Sequence, residues 1–458
     1  MEKQILILQK MIMTLLQEKK YPSLRDILVT MNPSDIAAIF DELEPDRIPL
    51  LFRLLPKELA AETFVEMETY AQELLIQGFS DRELKEVVDE LYVDDAVDLI
   101  EEMPANVVRR ILAQADPDTR KTINELLRYP ENSAGSIMTT EYVALRPEMT
   151  VGESILRIRR TGVDKETIYT CYVTRNRTLV GLVSVKDLLL APDDDTPIQD
   201  IMETHMISVG THTDQEEVAR RFARYNFLAM PVVDNENRLV GIVTFDDAMD
   251  VMQEEATEDM EIMGGMSPSE KTYIRASVWD LFRQRIPWLL LLMVSSTFTS
   301  MIITGFEAAL AAQVALTAFI PMLMGTGGNS GSQSSVTVIR ALSLGELEPR
   351  DLPLVIWKEI RTAVCCGIAL AAVCFVKILL IDRLLLGNAD ISVLVALVVC
   401  LTMAITILLA KVVGCVLPMA ARKLGLDPAV MASPFIATIV DAMSLLVYFG
   451  VAKSLLHI

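Results

Sequence analysis

Apolar positions along this chain change their period twice. Over residues 1–132 they recur at helical spacing, as in Ile36, Ile39, Phe40 and Leu43, which predicts helices only. Over residues 133–255, β-branched runs alternate with short helical stretches, which predicts an α/β region. Residues 256–285 hold Gly264-Gly265 and Ser267-Pro268-Ser269, followed by a mixed pattern that predicts a connecting helix from Glu270 to Arg285, capped by Ser269. Beyond that, apolar runs reach the roughly 20 residues a bilayer requires. Five spans are read, at about Ile286–Phe306, Ala312–Ile339, Thr362–Ile381, Ile391–Ala410 and Pro428–Ala452, so residues 286–458 form an α-helical membrane domain with five transmembrane helices.

Internal repeats refine the first two regions. Asp35-Ile36-Ala37-Ala38-Ile39-Phe40-Asp41-Glu42-Leu43 is echoed by Asp95-Ala96-Val97-Asp98-Leu99-Ile100-Glu101-Glu102-Met103, which predicts stacked helical hairpins and an all-α superhelical N-terminal domain. Leu179-Val180-Gly181-Leu182-Val183-Ser184-Val185-Lys186-Asp187 is echoed by Leu239-Val240-Gly241-Ile242-Val243-Thr244-Phe245-Asp246-Asp247. Each follows a matching lead-in, Ser136-Ile137-Met138-Thr139 or Asp200-Ile201-Met202-Glu203. This second repeat resembles a tandem CBS pair, a regulatory module that commonly senses adenine nucleotides such as ATP. The resemblance implies that Ser184 with Asp187, and Thr244 with Asp247, hold a ribose. Read from the residues alone, the same Asp side chains can equally well start helices, where a carboxylate suits the dipole.

Charge is split between the two halves of the 458 residues. Residues 1–270 hold 52 Asp and Glu against 27 Lys and Arg, whereas residues 271–458 hold 10 against 14. An acidic half joined to an apolar half argues for cationic partners and against nucleic acid. Between spans 2–3 and 4–5 lie Arg340, Arg350, Lys358, Arg361, Arg422 and Lys423, while the other two connections hold only Arg383. The positive-inside rule then puts the N-terminal half in the cytoplasm and the C-terminus outside. The start, Met1-Glu2-Lys3-Gln4, has no long apolar core and so no sign of a signal peptide. Five of the six Cys lie in apolar runs without CxxC spacing, and the three His form no HExxH. No Walker loop or nucleophile elbow is present, so the chain does not read as an enzyme.

The membrane half contains two groups of chemistry-bearing residues. Span 2 carries Gly327-Gly328-Asn329-Ser330-Gly331-Ser332-Gln333, with Asn329 and Gln333 on one helix face. Such polarity is tolerated in lipid where it is buried in protein or lines a water-filled path, and a polar ion-path lining is the better reading. Asp441 sits mid-span in Pro434-Phe435-Ile436-Ala437-Thr438-Ile439-Val440-Asp441. A central Asp costs about 2.5–3.5 kcal/mol on insertion scales, so it marks a functional site. Pro434 removes a backbone donor, which is expected to free a carbonyl toward the path. Glu307, at the outer end of span 1, is a candidate for concentrating cations at the mouth.

These runs, and the order helical domain, CBS pair, five spans, resemble the MgtE family of magnesium channels and transporters over essentially the full length. The resemblance implies a homodimer with one pore at the subunit interface, in which Asp441 binds hydrated Mg²⁺ with help from the Ala437 carbonyl and the Asn329 side chain. Mg²⁺ dehydrates reluctantly and is usually held through waters by one or two carboxylates, which fits one Asp per subunit. A second acidic group lies in the cytoplasmic half. Asp247, Asp250, Glu254 and Glu258 follow helical spacing on one face, beside Asp246, Glu255 and Asp259, and like charges so spaced repel. By resemblance, these acids together with Asp94, Asp95, Asp98 and Asp427 bind regulatory Mg²⁺ and close the pore. The implied function is Mg²⁺ import gated by cytosolic Mg²⁺. The alternatives are a Co²⁺ or Mn²⁺ transporter, or a membrane-anchored CBS nucleotide sensor.

Overall fold

The computed structural model describes residues 2–41, 43–269, 273, 276–388 and 391–457. The chain divides into two compact units, 1–252 and 253–458.

The first unit opens with helices α1 (Glu2–Gln17), α2 (Tyr21–Leu28), α3 (Pro33–Asp41), α4 (Ile48–Phe52), α5 (Lys57–Val65), α6 (Thr69–Gly78), α7 (Asp81–Val88), α8 (Val93–Glu102), α9 (Ala105–Gln114) and α10 (Pro117–Leu126). They stack in an alternating series, α3 on α5, α5 on α7 and α7 on α9. The repeat is visible in burial: α3 buries Ile36, Ala37, Ile39 and Phe40, and α8 buries Ala96, Val97, Leu99 and Ile100 at the equivalent positions.

Two three-stranded sheets follow. The first comprises β1 (Ala144–Leu145), β2 (Thr170–Arg175) and β3 (Thr178–Ser184), with helices α11 (Val151–Thr161), α12 (Val185–Leu189) and α13 (Ile198–Ile201). The second comprises β4 (Val209–Gly210), β5 (Ala229–Val233) and β6 (Leu239–Thr244), with α14 (Gln215–Tyr225) and α15 (Phe245–Met263). In each the first two strands are parallel and the last two antiparallel. The halves exchange their lead-ins. Thr139 pairs with Ile242 through bonds of 2.8 and 2.9 Å, and Glu203 pairs with Leu182 at 2.8 and 3.0 Å. A Cβ on Gly241 would stand 2.7 Å from Met138 Sδ, and one on Gly181 would stand 2.8 Å from Met202 Sδ. The repeated glycine and the repeated methionine therefore meet across the pair, each from the opposite half. The core of the helical region runs on into the second sheet through Ala134, Met138, Val209 and Met230.

The second unit contains α16 (Val278–Gly305), α17 (Glu307–Ala312), α18 (Ile320–Ser343), α19 (Leu352–Lys377), α20 (Val393–Lys423) and α21 (Ser433–Leu456), and a π-helical stretch Ile378–Leu385 prolongs α19. Among the described residues, four segments are long and apolar enough to cross a membrane: Val278–Gly305, Pro349–Leu385, Val393–Lys423 and Pro428–Leu456. α18 has 24 residues, but its Gly, Ser, Thr, Asn and Gln keep it below that apolarity. α20 is the hub, packed on α18, α19 and α21. Its approach to α18 is close enough that a Cβ on Gly414 would lie 2.3 Å from the Gly331 carbonyl oxygen.

Two sequence expectations need correction here. The first three residues of the expected helix from Glu270 to Arg285, with 274 and 275, lie outside the described residues. The described part is the start of α16, continuous with the first span and capped by Ser277, whose hydroxyl exchanges bonds with Asp280. The first residues that Ser269 was expected to cap lie outside the described ones; its own amide donates to Glu261 Oε2 at 2.9 Å. Pro434 lies in the first turn of α21, where the missing N–H is unneeded, so no interior carbonyl is freed by it.

Gly414→Val is expected to destabilise the membrane unit by about 1–3 kcal/mol, because overpacking there pushes against backbone. Gly305→Ala, where an added Cβ meets nothing within 4 Å, is the control. Equal thermal midpoints in detergent for the two variants would contradict the close α18–α20 contact.

Candidate ion path and acidic faces

The span-2 run and the Asp441 run, separate in sequence, converge in the structure. A Cβ on Gly328 would lie 3.5 Å from Ala437 Cβ and 3.8 Å from Asp441 Oδ1, so α18 rests directly on the Ala437–Asp441 turn of α21. Asn329 and Gln333 are exposed, while Gly327, Gly328, Ser330, Gly331, Ser334 and Ser335 are buried. α18 thus has a packed back and an open polar front. Ala437 and Asp441 are half-buried. The Ala437 carbonyl belongs to the helical ladder, which leaves its second lone pair for an ion. Thr438 Oγ1 donates to the Pro434 carbonyl at 3.1 Å. Glu307 is exposed at the first position of α17.

Behind α18 lies a group that the sequence reading missed. Ser334 Oγ donates to Glu359 Oε2 at 2.7 Å, and Lys411 Nζ donates to Ser334 Oγ at 3.2 Å. Lys411 and Glu359 are 3.7 Å apart, and Lys411 is only 5 % exposed. The expected spans stopped at Ala410 and began at Thr362, which put both charges just outside the membrane. The signal was the apolar run Val412-Val413-Gly414-Cys415-Val416-Leu417 beyond Lys411, which a true span end would not need.

In the first unit, the start of α8 faces the start of α15. Asp94 is 6 % exposed and its Oδ1 finds no hydrogen-bond donor among the described residues. Burial, then Asp95, raise the Asp94 carboxyl to about 7. Burial, then Asp247 and Asp246, raise Asp95 to about 7. Asp247 is raised to about 7 by burial and Asp94, although the Thr244 hydroxyl and amide donate to its Oδ2. Asp98 and Asp250 shift upward for the same leading reason, burial. Two acids absent from the sequence reading join this face. Glu166 is pushed up to about 9 by burial and then Asp94, with Oε2 unpartnered among the described residues, and Glu141 adds to the field on Asp94 and Asp95.

The remaining acids of α15 form a separate group in the second unit. Glu258 is raised by burial, Glu255 and Asp427, and Asp259 by burial and Asp427 against a bond from Ser343 Oγ at 3.0 Å. Asp427 Oδ1 also accepts the Ala429 amide at 2.8 Å. Glu254 is exposed. Just beyond, Ile262 and Met263 pack on Ile339, Ala429 and Ala432, at the ends of α18 and α21. Gly265, at φ +70°, sits where a Cβ would be 3.2 Å from Pro434 Cγ. The contact with the membrane helices is therefore made by the end of α15, within the segment 256–285. Among the described residues, no three His, Cys, Asp or Glu side chains converge as a ready metal cage.

The two nucleotide candidates differ. Ser184 and Asp187 form a capping box at α12, with Ser184 Oγ donating to Asp187 Oδ2 at 2.5 Å, and Asp187 is exposed. Thr244 is buried, and its partner Asp247 belongs to the acidic face.

A bundle with a polar-fronted helix against a membrane carboxylate, joined to a CBS pair with acidic faces, defines a multi-pass membrane transporter of cations. The family model described as a divalent cation transporter matches residues 320–451, that of the MgtE intracellular N domain matches 31–132, and that of the CBS domain matches 134–194 and 198–254. The magnesium transporter MgtE of Thermus thermophilus is 38 % identical over 449 residues, covering 96 % of this chain and 97 % of its own. That of Bacillus subtilis is 34 % identical over 447 residues, covering 97 % of each. A crystal structure of the cytosolic domain of the Mg²⁺ channel MgtE in complex with ATP matches 52 % of this chain and 98 % of its own, at 40 % identity and TM-score 0.50. The soluble part of a magnesium transporter matches 55 % and 99 %, at 30 % identity and TM-score 0.51. The chain belongs to the MgtE family and is not an enzyme.

The pH dependence of the first unit has a definite sign. Its acids hold protons up to about 7 when folded, against about 3.9 for an ordinary Asp, so their contribution is full at low pH and is lost as pH rises through about 7. In EDTA, amide-exchange protection of residues 93–102, normalised to intrinsic rates, is expected to fall from about pH 5 to about pH 8. Millimolar Mg²⁺ should remove most of that fall. Protection that rises over the same window without divalent ions would contradict the crowding of these carboxylates.

Proposed function

We propose that this chain is a Mg²⁺-selective channel or transporter that imports Mg²⁺ into the cytoplasm as a homodimer. The observation that carries the reading is the seating of Gly328 on Ala437 and Asp441, one residue before the exposed Asn329 of α18. Hydrated Mg²⁺ is held through water by one or two carboxylates, so one half-buried Asp441 from each subunit suits it without a rigid cage. The exposure of Asn329 and Gln333 on a single chain supports a path formed between two subunits. Five membrane crossings, with α18 as the second, put the N-terminal half inside and the C-terminus outside. The residues assigned to the three regions are 1–132, 133–255 and 286–458, with α15 and the start of α16 replacing a separate connecting helix.

Regulation follows from the acids. Carboxylates that crowd one another favour separation until cations bridge them. Cytosolic Mg²⁺ bound among Asp94, Asp95, Asp98, Asp246, Asp247 and Asp250, and among Glu254, Glu255, Glu258, Asp259 and Asp427, closes the path. The end of α15, seated at the ends of α18 and α21, transmits the change. Several bridging ions supply the differential affinity that a population shift needs. The Ser184–Asp187 cap is the open nucleotide position of the two, and ATP, bound by the solved relative's domain, is its candidate ligand.

Asp441→Asn is expected to reduce Mg²⁺ uptake into liposomes at least a hundredfold while leaving expression and dimerisation intact, because the amide keeps shape and loses charge. Asn329→Ala should weaken ion preference and a bulky residue at Gly328 should block flux. Wild-type Mg²⁺-dependent growth of a transport-deficient cell carrying Asp441→Asn would sink the assignment.

For gating, Asp247→Ala/Asp250→Ala/Glu254→Ala is expected to leave flux high at millimolar cytosolic Mg²⁺, since removing ligands removes the cross-link. Flux that closes with the same Mg²⁺ dependence as wild type would show that these acids are not the sensor.

A further inference from the structure

Behind α18 the buried Lys411 and the half-buried Glu359 form an ion pair around the Ser334 hydroxyl. Ser334 is 2 % exposed on the packed side of α18, while the neighbouring Gln333 is on the open side. Lys411 comes from α20 and Glu359 from α19, so three helices meet at one hydroxyl. The chain positions agree in depth: Ser334 lies nine residues before the end of α18 at Ser343, and Glu359 lies seven after the start of α19 at Leu352, across one short connection. In apolar surroundings an isolated ammonium is costly, and among the described residues Glu359 is the acid that pairs with Lys411.

Resting on the ion-path reading, we propose that Glu359 and Lys411 are positioning residues that form a charge-neutral clasp, holding α18 with its polar face toward the path and cancelling the field of the lysine there. An α-helix is roughly 10–12 Å across, so the ammonium at Ser334 stands about one helix width from the Asn329–Gln333 face. At that range, and at an effective dielectric near 20, one uncompensated positive charge lowers the occupancy of a divalent cation by on the order of tenfold or more. With Glu359 3.7 Å away, the two fields largely cancel. The sign of the residual charge therefore matters, which mere packing does not require.

The test compares Glu359→Gln, Lys411→Met and the double variant, full-length, in liposomes, with Mg²⁺ flux measured against Mg²⁺ concentration. Glu359→Gln leaves a bare ammonium and is expected to raise the half-saturating Mg²⁺ concentration at least tenfold, with a smaller change for a monovalent probe ion. Lys411→Met leaves no positive charge and should stay within about threefold of wild type. The double variant should recover most of what Glu359→Gln loses. Equal losses in both single variants with no recovery in the double would overturn the clasp, leaving only a packing role. If Glu359→Gln does not fold, the exchange Glu359→Lys/Lys411→Glu decides: near-wild-type flux supports the clasp, and lost flux in a folded exchange variant overturns it. Absence of Mg²⁺ flux in wild type would instead sink the ion-path reading itself.

Discussion

Everything in the membrane unit depends on keeping the polar helix α18 in a bundle. Lipid offers no hydrophobic drive for helix association, so close van der Waals packing and interhelical hydrogen bonds must do it. α18 has both. Its carbonyl at Gly331 comes so near α20 that Gly414 can carry no side chain, and Ser335 Oγ donates to the Met431 carbonyl at 2.8 Å. The Glu359–Ser334–Lys411 group adds charge-assisted bonds where small residues alone would leave a polar hole. Because the back of α18 is satisfied in this way, its front can remain open with Asn329 and Gln333 exposed.

A buried ion pair is weak evidence for stability in itself, since desolvation offsets most of the attraction. Removing one partner is another matter, costing about 3–5 kcal/mol where the remaining charge stays buried. The pair is best understood as a fixed neutral unit. It differs in kind from the acids of the first unit, where burial and neighbouring carboxylates are the leading causes that raise Asp94, Asp95, Asp247 and Glu166. There the folded chain retains repulsion that only protons or added cations relieve. α15 starts among the crowded acids with Asp246 and Asp247, and its end lies against Ile339, Ala429 and Ala432. At 1.5 Å per residue its 19 residues extend roughly 28 Å.

The sequence by itself determined the order of the regions, because apolar period and charge partition are local properties. It also determined the internal repeats, and the structure gives their meaning: equivalent faces of α3 and α8 are buried, and Gly181 and Gly241 receive the methionines of the opposite halves. Asp441 and the Asn329 run stood out because polarity inside an apolar span is conspicuous without any fold. Only tertiary structure could bring those two runs together, show that Pro434 sits harmlessly in a first turn, and separate the buried Thr244–Asp247 cap from the exposed Ser184–Asp187 cap. The buried pair of Glu359 and Lys411 escaped the sequence for a physical reason. A charge near the end of an apolar run looks like the end of the span, and whether it leaves the membrane or turns inward depends on a partner from another helix that the local pattern does not contain.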